Sequence, residues 1–215
     1  MIEKIKLFLC WPISRKIEYI YIRLKMTQMN FISRYRYISV GKGCFIIKPI
    51  ILTPEFISLG DKVSFRHHAR IEAISSFSSE SFTPNIIIES GVTFQQRCHI
   101  TAASRLVIGK GTIASFDVMI TDIDHEYEDV SLPISQQKLA IKPTYIGESC
   151  FLGGGVKIQA GTTLGRHCIV GSNSVVRGQF PDYCVIVGAP ARIVKRYNEN
   201  TSQWEKTDNK GGFIS

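Results

Sequence analysis

The sequence predicts an all-β protein whose chain winds into a triangular prism, a parallel β-helix of about six coils. Three observations predict this fold. An apolar residue recurs at every sixth position, a small residue follows it four positions later, and glycine often stands directly after it. A period of six matches neither the 3.6 of an α-helix nor the two of a β-strand. It therefore indicates short strands joined by tight corners, with three hexads in each coil.

The recurring apolar residues, which we call anchors, form groups of three, and the phase slips only between groups. They are Val40, Ile46, Leu52; Leu59, Phe65, Ile71; Ile88, Phe94, Ile100; Ile108, Ala114, Ile120; Ile146, Leu152, Ile158; and Leu164, Val170, Val176. The small residues that follow them are Cys44, Val63, Ala69, Val92, Cys98, Thr112, Val118, Cys150, Val156, Thr162, Cys168 and Ser174. Ile50 is the exception to this second rule. We expect the anchors to point inward and the small residues to pack near the bends.

Length and composition are those of one globular domain with appendages. The 215 residues are 44% hydrophobic and 20% charged, which excludes a disordered chain. No apolar run approaches the length of about 18 residues that predicts a transmembrane helix. Four of the six cysteines occupy small-residue positions and none forms a C-x-x-C pair. We therefore expect reduced packing thiols in a cytoplasmic protein.

The repeat divides the chain into three segments. Residues 1–37 form an N-terminal arm, residues 38–188 form the β-helix, and residues 189–215 form a C-terminal extension. Two stretches interrupt the repeat, a polar loop at residues 72–87 and a longer insert at residues 121–145. Long inserts in compact folds are usually functional or mobile, so we look for chemistry there.

The N-terminal arm holds most of the positive charge. Residues 1–40 carry eight basic and two acidic side chains, while the whole chain has a net charge of +8. Because the prism body is nearly neutral, nucleic-acid binding is disfavoured. After Pro12, helical spacing predicts an amphipathic helix with an apolar stripe of Ile13, Ile17, Ile20 and Leu24. Two interpretations stay open for this helix, a cap on the open end of the prism and a peripheral contact with the inner face of a membrane.

His125 is the strongest candidate for a general base. It lies in the second insert within the sequence Thr121-Asp122-Ile123-Asp124-His125. Histidine titrates near neutral pH, and neighbouring carboxylates can orient its ring and stabilise its protonated form. His67 and His68 are adjacent, so their side chains would point to opposite faces of a strand, and we expect no metal site.

The repeat resembles that of the hexapeptide-repeat acyltransferases, and the resemblance covers residues 38–196. Its most specific part is residues 146–196, which contain Val187-Gly188-Ala189-Pro190-Ala191-Arg192. Within that superfamily the chain is most similar to the galactoside, maltose and polysaccharide O-acetyltransferases. The resemblance implies a left-handed prism, acetyl-CoA as acyl donor, a sugar or glycan acceptor, and a homotrimer whose subunits share each active site.

The resemblance also implies roles for individual residues. His125 would be the catalytic base, although Ile123 stands where polysaccharide-modifying relatives often have a first histidine. Acetyl-CoA would contact Gly154, Ser172, Arg177, Arg192 and Lys195, and a backbone N–H near Gly153 and Gly154 could stabilise an oxyanion. The acceptor would contact Gln95, Arg97, His99, Asp122 and Asp124.

Two other functions remain open from the sequence. One is N-acetylation of an amino sugar or an antibiotic, and the other is a non-catalytic β-helix scaffold. A scaffold would need neither a histidine at the start of the insert nor basic residues after the Gly-Ala-Pro segment, and this chain has both. The identity of the acceptor and of the acetylated hydroxyl depends on loop shape, which one sequence does not define.

Overall fold

The computed structural model describes residues 8, 10–31 and 33–214, and in this part the chain winds around a triangular prism. The first face is a parallel sheet of Ser39–Val40, Ile57–Leu59, Asn85–Ile88, Arg105–Ile108, Thr144–Ile146, Thr163–Leu164 and Gln179–Phe180. The second face contains Phe45–Ile46, Ser64–Phe65, Thr93–Phe94, Ile113–Ala114, Phe151–Leu152, Ile169–Val170, Cys184–Gly188, Ala191–Asn198 and Gln203–Lys206. The third face contains Ile51–Leu52, Arg70–Ala73, His99–Ala102, Met119–Thr121, Lys157–Ile158 and Val175–Val176.

The strand register confirms the phase of the repeat. On the first face the anchors pair with one another through every coil, from Val40 with Leu59 to Ile146 with Leu164. All anchors except Val40 and Leu52 are buried, and so are all twelve small residues. The core is therefore a stack of inward side chains along the prism axis, and Ile50, the exception, is exposed.

The glycine that follows an anchor is required by the neighbouring coil. A Cβ added to Gly109 would lie 2.5 Å from the carbonyl carbon of Gly147, and one added to Gly147 would lie 2.5 Å from that of Gly165. No real Cβ tolerates such a distance from a backbone atom, so a larger residue would push two coils apart. The column of glycines lets the corners stack at the spacing of hydrogen-bonded strands.

The two inserts are β-hairpins rather than irregular loops. In the first, Ser76–Phe77 pairs with Glu80–Ser81, and the flanking prism strands extend into the predicted loop, which shortens it to residues 74–84. In the second, Ile123–His125 pairs with Leu139–Ile141, and a 3-10 turn at Ile134–Gln136 lies between them. Backbone pairing thus holds the base of each insert.

The N-terminal arm contains the predicted helix, α1, at Ile13–Phe31, followed by a 3-10 turn at Ser33–Arg36. A second 3-10 turn, Pro54–Phe56, lies in the prism between Ile51–Leu52 and Ile57–Leu59. The C-terminal half of α1 packs against the first coil, where Met29 is buried beside Tyr37. None of the described helices is long and apolar enough to span a membrane.

The C-terminal extension pairs with the last strand of the prism. Cys184–Gly188 continues the second face and pairs in antiparallel fashion with Ala191–Asn198, which pairs in turn with Gln203–Lys206. Trp204 packs edge-on against Tyr197, with ring centroids 5.8 Å apart.

Candidate functional site

Both inserts leave the prism at the same corner. The first follows the third-face strand Arg70–Ala73, and the second follows the third-face strand Met119–Thr121. Only the strand His99–Ala102 separates these two strands in the sheet. An ion pair of 3.0 Å between Lys138 Nζ and Glu80 joins the two hairpins. The sequence held a signal for this arrangement, because each insert comes after the third anchor of a group.

A pocket of about 320 Å³ opens between the inserts and the third face. Its floor is the outward side of three strands, where His99 pairs with Arg70 and Met119, and Thr101 pairs with Thr121. The inserts supply its walls. The complete lining is Arg70, Ile74, Phe77, His99, Thr101, Met119, Thr121, Ile123, His125 and Leu139. Polar groups on the floor and apolar groups on the walls are typical of small-molecule sites.

His125 reaches this pocket because side chains alternate along its strand. Ile123 and His125 both line the pocket, while Asp124 between them points to the opposite side of the hairpin. The His125 ring is exposed and meets the edge of Phe77, with ring centroids 5.6 Å apart. A histidine in this position is accessible to a substrate proton and is bounded by an aromatic wall.

His99 lies on the floor of the same pocket. Its Nε2 is 2.7 Å from Thr101 Oγ1, which fixes the orientation of the ring. Burial, reinforced by the positive charge of Arg70, lowers the pKa of His99 below its ordinary value, so the ring is neutral at neutral pH. Arg70 is itself paired with Glu72, with 2.6 Å between Nε and Oε2. The floor therefore offers neutral and charged hydrogen-bonding groups side by side.

Asp122, which the resemblance assigns to acceptor binding, is buried at the start of the second insert. Its carboxylate is completely buried and accepts hydrogen bonds from the backbone N–H groups of Ala103 and Ser104, both at 2.8 Å, and from Ser104 Oγ at 2.7 Å. Because this carboxylate has no exposed surface, a ligand in the pocket cannot reach it. Asp122 positions the start of the second insert and does not line the pocket.

Asp124 and Arg177 were expected to bind different ligands, but the structure pairs them. An Arg177 Nη2 to Asp124 Oδ2 distance of 2.8 Å links the second insert to the sixth coil, and Arg177 Nε also donates to Gln159 at 2.9 Å. Both side chains are partly exposed. In this arrangement the pair braces the outer side of the hairpin that carries His125.

Gln95 and Arg97 lie outside the pocket that His99 lines. Arg97 occupies a corner with a positive φ of 58° and binds Asp117 through two hydrogen bonds of 2.7 Å each. These bonds lower the pKa of Asp117. Gln95 is exposed at the end of a second-face strand. Of the three residues expected on this stretch, only His99 lines this pocket.

Gly154 lies under the ring of Phe116. A Cβ on Gly154 would be 2.7 Å from Cζ of the exposed Phe116 ring, so a larger residue there would require the ring to move. The neighbouring Gly153 N–H donates to Val170 at 2.9 Å and is not available to an oxyanion, which leaves the Gly154 N–H as the candidate donor. Ser172 is exposed on the next coil.

Arg192 and Lys195 lie on the strand Ala191–Asn198 of the second face, and both are exposed. Their strand pairs with Cys184–Gly188, so two cations project beside the end of the prism. The third-face pocket lies on a different side of the same chain. One protomer thus carries the two groups of predicted site residues on separate faces.

The cysteines of the core are free thiols. Cys44, Cys98, Cys150, Cys168 and Cys184 are buried, and burial raises the pKa of Cys98 to about 12. Cys44, Cys98, Cys150 and Cys168 pack at small-residue positions, as the repeat predicts, and burial keeps all five thiols away from a substrate. Among the described residues no three His, Cys, Asp or Glu side chains are grouped as metal ligands.

Comparison with known sequences identifies the repeat and two similar proteins. A family model described as "Bacterial transferase hexapeptide (six repeats)" matches residues 143–178. "Putative lipopolysaccharide biosynthesis O-acetyl transferase WbbJ" of Escherichia coli K12 is 30% identical over 180 residues, covering 75% of this chain and 91% of that protein. "Probable acetyltransferase Rv3034c" of Mycobacterium tuberculosis is 31% identical over 182 residues, covering 81% of this chain. The chain spans about half of that second relative, 54% of its length.

Solved structures confirm the predicted left-handed β-helix. AntD, an N-acyltransferase from Bacillus cereus crystallised with dTDP and 3-hydroxybutyryl-CoA, superimposes with a TM-score of 0.67 at 16% identity, covering 82% of this chain and 92% of AntD. A maltose O-acetyltransferase from Clostridium difficile 630 superimposes with a TM-score of 0.53 at 23% identity, covering 83% of each chain. At these identities the likeness concerns the fold alone.

Proposed function

Because this chain belongs to the hexapeptide-repeat acyltransferase family, we propose that it transfers the acetyl group of acetyl-CoA to a hydroxyl of a sugar or cell-surface polysaccharide intermediate. The observation that carries this proposal is the third-face pocket, in which His125 stands exposed above the polar floor formed by His99 and Thr101. The name of the relative WbbJ, an O-acetyl transferase of lipopolysaccharide biosynthesis, supports the choice of a glycan hydroxyl.

In the proposed reaction His125 is the general base. Its unprotonated ring nitrogen takes the proton of the acceptor hydroxyl while the hydroxyl oxygen attacks the thioester carbonyl carbon. A C–O bond forms, the resulting oxyanion receives a hydrogen bond from the Gly154 N–H, and the C–S bond then breaks. The protonated His125 returns its proton to the departing CoA sulfur. The step consumes no further reactant and needs no covalent enzyme intermediate.

The floor and walls of the pocket would hold the acceptor. His99, neutral and oriented by Thr101, can exchange hydrogen bonds with sugar hydroxyls, and the Arg70–Glu72 pair adds charged partners. Phe77 presents an aromatic surface on which the apolar face of a sugar ring can pack. We propose that these contacts keep the reacting oxygen close to His125.

Arg192 and Lys195 would meet the phosphates of the acetyl donor, since both are exposed cations on one strand. They lie on the second face, whereas the base lies on the third. We propose a homotrimer in which the second face of one prism stands beside the third face of the next, so that donor and base come from different subunits. Free thiols fit a reducing compartment, and we propose a cytoplasmic location.

The chemistry of the acceptor can be tested by the stability of the product. We would incubate the enzyme with acetyl-CoA and a matched pair of sugars that differ only in a hydroxyl or an amine at one carbon, and follow release of CoA thiol. An O-acetyl ester is cleaved by mild base or hydroxylamine, whereas an amide survives. Faster transfer to the hydroxyl sugar, with a base-labile product, is expected. A base-stable product formed faster from the amino sugar would move the assignment to an N-acetyltransferase.

A further inference from the structure

Helix α1 carries an apolar stripe that the prism does not cover. Ile13, Ile17, Ile20 and Leu24 are each between 51% and 75% exposed, and Phe31 continues the stripe with 73%. Their spacing of three, four and seven residues places them on one side of the helix over about 27 Å. An exposed aliphatic stripe of this length is unusual on a free surface and marks a contact site.

The opposite side of α1 is the one that packs on the prism. Met29 is buried against the first coil, and Met26 approaches Gly43, whose added Cβ would lie 3.4 Å from Met26 Cε. Glu18 forms an ion pair of 2.8 Å with Arg66 of the second coil. The helix is therefore anchored by one face, and the anchoring fixes its apolar stripe outward.

Basic side chains border the stripe. Arg23 and Lys25 flank Leu24 on its two sides. The helix contains four basic residues and one acidic residue, and that acidic residue, Glu18, is already paired with the prism. An aliphatic stripe with cationic borders is the pattern of helices that lie in the interface of an anionic membrane.

We propose that helix α1 docks the protein flat on an anionic lipid surface, with Ile13, Ile17, Ile20, Leu24 and Phe31 inserted among the lipids and the basic residues on the headgroups. Charge complementarity favours lipid over a second copy of the chain. In a contact between two copies through this stripe, the basic residues that border one helix would lie close to the same basic residues of the other. Negatively charged headgroups instead attract each exposed Lys or Arg.

Vesicle sedimentation tests this docking with the full-length protein and without any acetyl transfer. One set of vesicles is phosphatidylcholine alone, and the other contains about one third phosphatidylglycerol. We expect the wild type to sediment with the anionic vesicles about tenfold more strongly than with the neutral ones, and less strongly as salt is raised. Because no catalysis is measured, failure of docking and failure of the proposed function are distinguishable.

The variant Ile17→Gln/Leu24→Gln removes two aliphatic side chains from the stripe without changing charge or helix propensity. Its matched control is Val130→Gln/Ile134→Gln, which removes two exposed aliphatic side chains from the second insert. We expect the stripe variant to lose about tenfold in vesicle binding while the control stays within about twofold. In Arg23→Gln/Lys25→Gln the preference for anionic vesicles should shrink.

Three results would overturn the docking. The wild type could fail to bind either vesicle, or the stripe variant could bind as well as the control. Alternatively, sedimentation equilibrium could show that the stripe variant has a smaller assembly mass than the wild type, with no vesicle binding by either. That last result would make the stripe an interface between copies of the chain.

Discussion

The prism and its two inserts differ in where their side chains point and in which interactions fix those side chains. In the prism an anchor such as Ile100 is completely buried between the anchors of neighbouring coils. In the inserts Phe77 and His125 point into an open pocket, and partly exposed ion pairs brace the hairpins from outside. We therefore expect substitutions in the prism core to lower stability and substitutions at His125 to lower activity.

The largest expected effect is on catalysis, in the second insert. His125→Ala should lower turnover by about 10²- to 10⁴-fold, because a general base is lost, while leaving acetyl-CoA affinity nearly intact. Steady-state rates of CoA release give the turnover, and a binding titration gives the affinity. His67→Ala is the matched control, since His67 is an exposed histidine outside the pocket. Equal turnover in the two variants would remove His125 from the mechanism.

The second effect is on stability, in the prism. Ile100→Ala should lower the free energy of unfolding by about 2–5 kcal/mol, because it opens a cavity in the core. Ile134→Ala, the same substitution at a half-exposed position of the second insert, should change it by less than about 0.5 kcal/mol. Urea unfolding at one protein concentration measures both. Similar unfolding midpoints for the two variants would contradict the claim that the prism core contributes more to stability than the second insert does.

Asp122 lies at the boundary between the prism and the second insert. Its substitution tests whether this carboxylate stabilises the fold or contacts the acceptor. Asp122→Ala leaves the N–H groups of the buried Ala103 and the half-buried Ser104 without an acceptor, at a cost of about 1–3 kcal/mol for each group that stays unsatisfied. We expect a lower thermal midpoint even in the absence of substrate. An unchanged thermal midpoint combined with a raised KM for the acceptor would show that Asp122 contributes to acceptor binding instead.

The smallest effect concerns the pair of Asp124 and Arg177. Because both side chains are partly exposed, a double-mutant cycle with Asp124→Asn and Arg177→Gln should give a coupling free energy of unfolding of about 0.2–1 kcal/mol. Acetyl-CoA affinity should be the same in all four proteins. If Arg177→Gln weakened acetyl-CoA binding in the Asp124→Asn background, Arg177 would be a donor contact in addition to a brace.

The fold could be predicted from the sequence because each coil repeats one physical rule. An anchor must point inward in every hexad, and Gly109 must make room for the next coil. His125 was predicted from its place in the second insert and His99 from the family resemblance, and both line the pocket. Phe77 was missed, although its insert leaves the prism after the third anchor of a group, as the insert of His125 does.

The roles of the other polar residues depend on pairings that no periodicity encodes. Asp122 and Asp124 are two residues apart in the sequence, yet one is buried under three donors and the other reaches the sixth coil. Arg97 is directed to Asp117 by a corner with positive φ. These outcomes depend on the path of the hairpins and corners, which local sequence does not determine.

Acetyl-CoA binding, measured by calorimetry, tests the central claim most directly. We would titrate the wild type, Arg192→Ala/Lys195→Ala, and the matched control Arg105→Ala/Lys110→Ala, which removes one arginine and one lysine from exposed positions of the fourth coil. An acetyl-CoA-dependent transferase predicts a Kd of about 1 μM to 1 mM for wild type and control, weakened about tenfold or more in the Arg192/Lys195 variant. No binding by the folded wild type at millimolar acetyl-CoA would contradict it.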